Sequence, residues 1–200
     1  MSKPLILATG NPGKLAEFEA LTSLWDWSLV LQSRYGVESV EETGSSFQDN
    51  ALLKARHAAR HSGLPALADD SGLCVDALNG APGIHSARYA GQHGDSAANI
   101  DRLLQELVEI PETARGAHFI CVLVLVRHAD DPEPLLAEGR WMGRILAQRH
   151  GLGGFGYDPI FYDPVQQTSA AAMDPLLKNR ISHRGRAFAA LNKLLKTQPS

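Results

Sequence analysis

Carboxylates and lysines stand in this chain where short apolar runs give out. Asp69 and Asp70 follow "LPALA" directly, Glu41 and Glu42 lead into "TGSSFQDNALLKAR" with Lys54 on it, and Lys14 closes "TGNPGK" after an apolar run that ends at Ala8. Carboxylate oxygens are hard donors that suit Mg²⁺, an ion that takes few protein ligands and keeps several waters. A carboxylate can also take a proton from an attacking water. Lysines next to them neutralise phosphate charge, which phosphoryl chemistry needs more than covalent help. Each pair also has a plainer reading, as an acidic β-turn or as solvated loop glutamates. If the strand continues, Asp69 and Asp70 point to opposite sides and cannot share one task. Ser71 is a candidate nucleophile, but the Gly-x-Ser-x-Gly elbow is absent.

The opening loop is not a P-loop. Gly13-Lys14 fits the middle of that motif, but Ala8 holds the first glycine position and Leu15 replaces the hydroxyl that would hold magnesium. The dinucleotide glycine pattern is missing too. An anion still suits the place, because a helix N-terminus offers backbone N–H groups, with Lys14, Thr9 and Asn11 close in sequence. A plain strand–turn–helix with a solvated lysine is the other reading.

Two further stretches are chemically suggestive. In "GGFGYDPIF", Gly153, Gly154 and Gly156 surround Phe155. An aromatic on such a loop can stack on a nucleobase, a contact of roughly 1–3 kcal/mol per base. Asp158 can accept from ring N–H groups, unless the loop is only a Gly-rich hairpin with a core phenylalanine. In "LLKNRISHRGRAF", Lys178, His183, Arg184 and Arg186 cluster at a helix start with Ser182 as its cap. Cations are poorly placed there for the helix dipole, so an anionic or carbonyl-rich ligand would account for them; solvated side chains are the alternative. His57 and His61 lack the zinc-protease glutamate and read as solvated.

The elements that carry these residues are legible in outline. "PLILA" is a buried strand, and Asn11 can cap the helix that follows, with Pro12 at its first position and apolar residues at Leu15, Phe18, Leu21 or Thr22, and Trp25. "SLVLQ" is a second strand, with a further strand ending at Glu41 and Glu42. Ser45 and Gln48 have capping-box spacing and open a helix to about His61 with an alanine-rich side made for close packing. "LPALADDSGLCVDAL" reads as two short strands around an acidic turn. A helix over about 96–108, strands at "HFICVLVLV" and "EGRWMGRI", and a last helix from about Ser182 with Phe188, Leu191 and Leu195 complete the order. Strands and helices mix without strict alternation, so an α/β fold with a mixed sheet is expected.

Composition narrows the class. The 200 residues suit one domain, with or without a small lobe, and the net charge of −3 leaves no basic stripe for a nucleic acid. Cys74 and Cys121 sit in apolar segments without metal spacing and read as buried free thiols of a reducing compartment. No basic stretch precedes a long apolar one at the N-terminus, and "FICVLVLV" is too short to span a bilayer as a helix. A soluble cytoplasmic protein, with neither nucleic acid nor membrane as partner, is the expectation.

Six segments in order, "LATGNPGK", "EETGSSFQDNALLKA", "ADDSGL", "GAPGIHSARYAG", "GGFGYDPIF" and "ISHRG", closely resemble the house-cleaning inosine/xanthosine triphosphate pyrophosphatase family. They run from residue 7 to 185. The resemblance implies a single nucleoside-triphosphate pyrophosphatase domain over 1–200, with a strongly twisted mixed sheet flanked by helices, two lobes and a central cleft. It also implies a homodimer and hydrolysis of ITP, dITP or XTP to the monophosphate and pyrophosphate with Mg²⁺. A non-catalytic module that binds modified purine nucleotides is the competing class, and carboxylates beside phosphates argue against it unless metal is present.

Carried over by motif, Thr9, Gly10, Asn11, Pro12, Gly13 and Lys14 would hold the phosphates. Glu42 or Glu41 would bind metal with Asp70, the general base, supported by Asp69 and Lys54. Ser71 would lie against the nucleotide. Phe155 would stack on the base, beside Gly156, Tyr157 and Asp158, while Lys178, His183 and Arg184 would read its edge. Hydrogen-bond donors there would favour a 6-oxo over a 6-amino purine. One departure stands out: Leu176 and Leu177 occupy positions that are usually acidic in the family.

Overall fold

The computed structural model describes residues 3–22, 25 and 27–197, and of Pro12, Gly13 and Ala16 only their place in a helix. The chain runs β1 (Lys3–Leu7), α1 (Pro12–Thr22), β2 (Trp27–Leu31), α2 (Phe47–Ser62), β3 (Ala66–Val75) and α3 (Ser96–Glu106). It continues with β4 (Gly116–Val126), β5 (Leu135–Ile145), β6 (Phe161–Asp163), β7 (Thr168–Ser169), α4 (Pro175–Ile181) and α5 (His183–Thr197). The strands form one sheet in the order β2-β1-β3-β4-β5-β6-β7. β1 is parallel to β2 and β3, whereas β6 is antiparallel to β5 and β7, so the fold is α/β with a mixed sheet. No helix among the described residues is long and apolar enough to cross a membrane.

The chain divides into two compact units, 1–70 with 121–139 and 184–200, and 71–120 with 140–183. In the first, strand alternation deals side chains to two helical layers. Leu5, Leu7, Leu67, Cys121, Leu123 and Leu125 pack with Phe18 of α1 and with Phe188 and Leu191 of α5. Their strand neighbours Ile6, Ala8, Ala66, Ala68, Val122, Val124 and Val126 pack with Ala51, Ala55, Ala58 and Ala59 of α2. The alanine-rich side of α2 thus sits against a surface that is itself partly alanine. Enlarging Ala55 would overpack it, at a cost of roughly 1–3 kcal/mol. In the second unit, Leu73, Val75, Phe119, Trp141 and Phe161 pack with Ile100 and Leu103 of α3 and with Leu107 just after it.

Several expectations need correction. "ALADDSGLCV" is one ten-residue strand, not two around an acidic turn. β3 pairs with β1 only at Ala66 and Leu67, so the two aspartates extend past the last paired residue of β1. The N-cap of α2 is Ser46, whose hydroxyl accepts from Asp49 N at 3.1 Å, while Ser45 donates to the Asp49 carboxylate. Cap and third helical residue are therefore Ser46 and Asp49, one position later than the Ser45–Gln48 spacing indicates. Glu41 and Glu42 lie on a loop rather than at a strand end. α3 stops at Glu106, and a short helix, α4, beyond those expected precedes "SHRG". Cys121 is buried and Cys74 half-buried, both free.

Candidate active site

The alternation that builds the two layers also separates the aspartates. Asp70 continues the Ala66 and Ala68 row, toward α2; Asp69 continues the Leu67 row, toward α1 and α5. On the α2 side, Lys54 Nζ lies 2.5 Å from Glu42 Oε1 and 3.1 Å from Asp70 Oδ1. Asn50, fully buried one turn before Lys54, donates from Nδ2 to Asp70 Oδ2 at 3.3 Å and accepts from Gly44 N at 2.8 Å. A Cβ on Gly44 would stand 2.6 Å from that same amide oxygen, so only glycine lets the Glu42 loop close on α2. Glu41 is exposed. Burial raises the Asp70 pKa above the ordinary carboxylate value; Lys54 opposes this and Glu42 adds to it. Lys54 is held in its charged form: burial disfavours the ammonium, but Asp70, Asp69 and Glu42 together outweigh that cost.

On the opposite face, Lys14 Nζ lies 2.8 Å from Asp69 Oδ2, and Arg184 Nε lies 3.8 Å from the same oxygen. The Arg184 guanidinium also pairs with Glu17 of α1. Burial would push the Asp69 carboxyl up, but Lys14, Arg184 and Lys54 hold it well below the usual range. The loop ahead of α1 is shaped by its own side chains: Thr9 Oγ1 accepts from Asn11 N, and Asn11 Oδ1 accepts from Lys14 N as the expected cap. Thr9, Gly10 and Asn11 line one side of a cavity of ≈ 600 Å³ whose other side includes Gln32 and Ser39. Beyond their place at the start of α1, Pro12 and Gly13 lie outside the described residues.

A third group lies within the second unit. Asp158 Oδ2 accepts from Phe155 N at 2.8 Å and from Lys178 Nζ at 2.7 Å, with both charged side chains buried. The Lys178 ammonium stands 5.1 Å from the centroid of the half-buried Phe155 ring. Gly154 has φ +72°, and a Cβ there would collide with the Asp158 carboxylate, so the tight loop demands glycine. Gly156 also has positive φ. Tyr157 is buried and its hydroxyl donates to Ser86 O at 3.0 Å. The His183 ring is buried and stacked on Phe119 at 4.7 Å between centroids. Ser71 is half-buried on β3. Leu176 is exposed and Leu177 packs on the core of this unit, so the two leucines leave the Lys178–Asp158 pair intact.

The model of the Ham1 family matches residues 5–194. The chain belongs to the Ham1 family. It is 50% identical to the dITP/XTP pyrophosphatase of Vibrio cholerae over 196 residues, 98% of each chain. It is 54% identical to the dITP/XTP pyrophosphatase of Xanthomonas campestris over 193 residues, 96% of this chain and 97% of that one. Among solved structures, a HAM1 protein from Coxiella burnetii superposes with a TM-score of 0.90 at 46% identity, covering 98% of this chain and 100% of the other. A nucleoside-triphosphatase / dITP/XTP pyrophosphatase from Mycobacterium abscessus does so with a TM-score of 0.75 at 47% identity, over 94% and 98%.

Three further residues of this Ham1 chain support the site: Asn50, Glu17 and Ser86. Asn50 stands four before Lys54 and Glu17 three after Lys14, so helical spacing alone puts each on its partner's face. Ser86 carried no such signal. Among the described residues no three of His, Cys, Asp or Glu gather into a cage for a metal. Glu42 and Asp70 do converge on one cation, the Lys54 ammonium. Two converging hard oxygens fit Mg²⁺, which needs one or two carboxylates when phosphates supply the rest.

Proposed function

We propose that this chain hydrolyses deaminated purine nucleoside triphosphates, ITP, dITP and XTP, to the monophosphate and pyrophosphate. The observation that carries the mechanism is the Glu42–Lys54–Asp70 constellation, two carboxylates and an ammonium converging on one partly buried point. Asp70, with its raised proton affinity, is the base that takes a proton from the attacking water. The water oxygen bonds to the α-phosphorus, the bond to the bridging oxygen breaks, and pyrophosphate leaves. Lys54 and Lys14 neutralise charge on the phosphates, and Asn50 holds Asp70 in orientation. Glu42 and Asp70 would hold Mg²⁺, which supplies Lewis-acid stabilisation of the phosphate charge when bound.

Phe155 is the platform for the base, with Lys178 as the donor toward a 6-oxo group. His183 and Arg184 join Lys178 as donors toward the base edge; Lys178 is held by Asp158, and Arg184 by Glu17 and Asp69. Adenine presents an amino group there and would leave a buried cation facing a donor, the kind of mismatch that discriminates strongly. The family resemblance extends this reading to a cytoplasmic homodimer.

A product-resolved assay over purine triphosphates tests it. With Mg²⁺, ITP, dITP and XTP should yield pyrophosphate and ATP and GTP far less, and chelation should stop the reaction. Orthophosphate as product would sink the bond assignment, equal rates on all purines the specificity, and tight ITP binding without turnover would favour the non-catalytic module.

A further inference from the structure

The Gly-rich loop that presents Phe155 is anchored at a second point, apart from the Asp158–Lys178 pair. Tyr157, two residues after Phe155 and one before Asp158, is turned inward and buried, and its hydroxyl donates to Ser86 O. Ser86 is itself pinned. Its Oγ accepts from Leu73 N of β3 at 2.9 Å and donates to Gly83 O at 2.6 Å. The chain just before it is tied to the end of β3, where Val75 N donates to Ala81 O at 3.1 Å. The chain just after it is tied to α3, where Asn99 accepts from Ala90 N and donates to Ala87 O. Ser86 O is therefore a fixed point, held from a strand and from a helix. A phenol on two rotatable bonds transmits that fixity to the loop with little freedom of its own.

We propose that the Tyr157–Ser86 hydrogen bond is a positioning device for base selection: it sets the height of the Phe155 ring and the orientation of the Asp158 carboxylate that holds Lys178. Tyr157 and Ser86 are positioning residues, and neither touches the base. The proposal rests on the reading of Phe155 as the base platform. Loosening the anchor weakens binding of the base and leaves the phosphate chemistry intact, so the loss falls on KM and on discrimination, not on kcat.

The test compares Tyr157→Phe, Ser86→Ala and Phe155→Ala in steady-state kinetics with ITP and ATP at saturating Mg²⁺. One buried hydrogen bond is lost in Tyr157→Phe, so KM for ITP should rise about three- to tenfold. Its kcat should stay within about twofold, and the ITP-to-ATP ratio of kcat/KM should narrow by a similar factor. Ser86→Ala keeps the carbonyl but frees the backbone that holds it, so it should move KM the same way, and the double variant should cost less than the sum, because both act through one anchor. Tyr157→Phe keeps the ring in the core and carries the test by itself should Ser86→Ala fail to fold. A merely structural role predicts a lower melting temperature with KM and the ITP-to-ATP ratio unchanged, and that result overturns the proposal. So does a fall in kcat at constant KM. If Phe155→Ala raises KM but Tyr157→Phe does not, the proposal alone falls; if Phe155→Ala leaves KM unchanged, the platform reading falls and takes the proposal with it.

Discussion

Lys14 Nζ stands 2.8 Å from Asp69 Oδ2, joining the first turn of α1 to β3 under the loop that precedes the helix. Asp69 is almost wholly buried, while Lys14 keeps some contact with solvent. Removing the cation takes away the leading countercharge of this carboxylate, with Arg184 and Lys54 still acting on it. Lys14→Met should therefore cost about 3 kcal/mol of stability, near the low end for breaking a buried pair. Urea denaturation measures it, and kcat/KM for ITP should fall with it. A variant as stable as the parent would show that the remaining cations suffice for Asp69.

Asp70 presents the opposite case. Burial raises its pKa in the folded chain, so once pH passes the unfolded value near 4 the ionised carboxyl works against folding. Asp70→Asn should melt higher than the parent at pH 7, with the difference closing as pH falls into the carboxylate range. The same variant should lose turnover by about 10²- to 10⁴-fold, the usual contribution of a general base. Calorimetry and pyrophosphate release read the two effects separately. Greater stability with full activity would remove Asp70 from the mechanism.

Gly44 controls Asp70 at one remove. A methyl group there meets the Asn50 side chain, the Asn50 backbone nitrogen and Asp49 Cβ. Gly44→Ala should push the Glu42 loop off α2 and free Asn50 from Asp70. A rise of about tenfold or more in the Mg²⁺ needed for half-maximal rate is expected, the scale on which groups behind metal ligands act. A magnesium titration of the initial rate checks it.

Asp131 offers a pH test far from this chemistry. Its carboxylate accepts from Arg127 N and Nε, both at 2.8 Å, from the Arg127 guanidinium again at 2.7 Å and from Glu133 N at 3.0 Å. The Arg127 side-chain hydrogen bond leads in holding its pKa well below the ordinary value. A depressed folded pKa stabilises above the unfolded pKa, and the contribution drains away as pH falls below about 4. Asp131→Asn should unfold more easily by roughly 1–3 kcal/mol at pH 7 and converge with the parent in acid. A constant difference from pH 7 to pH 3 would contradict this account.

The sequence by itself determined most of the elements, the candidate groups and the family. "PLILA" makes a buried strand because nothing in it tolerates water, and Asn11 caps α1 because its short side chain reaches Lys14 N. Alanines at helical spacing announced the close contact of α2. Order and spacing of the six segments marked the family, since they preserve chemistry that local structure does not need. What the sequence left open was continuity and pairing. An acidic pair after an apolar run reads as a turn, because the cost of burying two carboxylates is visible locally and the cations that offset it are not. Those cations arrive from α1, α2 and α5, 55 positions before Asp69 for Lys14 and 115 after it for Arg184. Only the tertiary fold brings them close enough for Coulomb attraction in a buried setting to outweigh desolvation. With that cost met, β3 runs straight through, and its two-residue period sends Asp69 to one helical layer and Asp70 to the other.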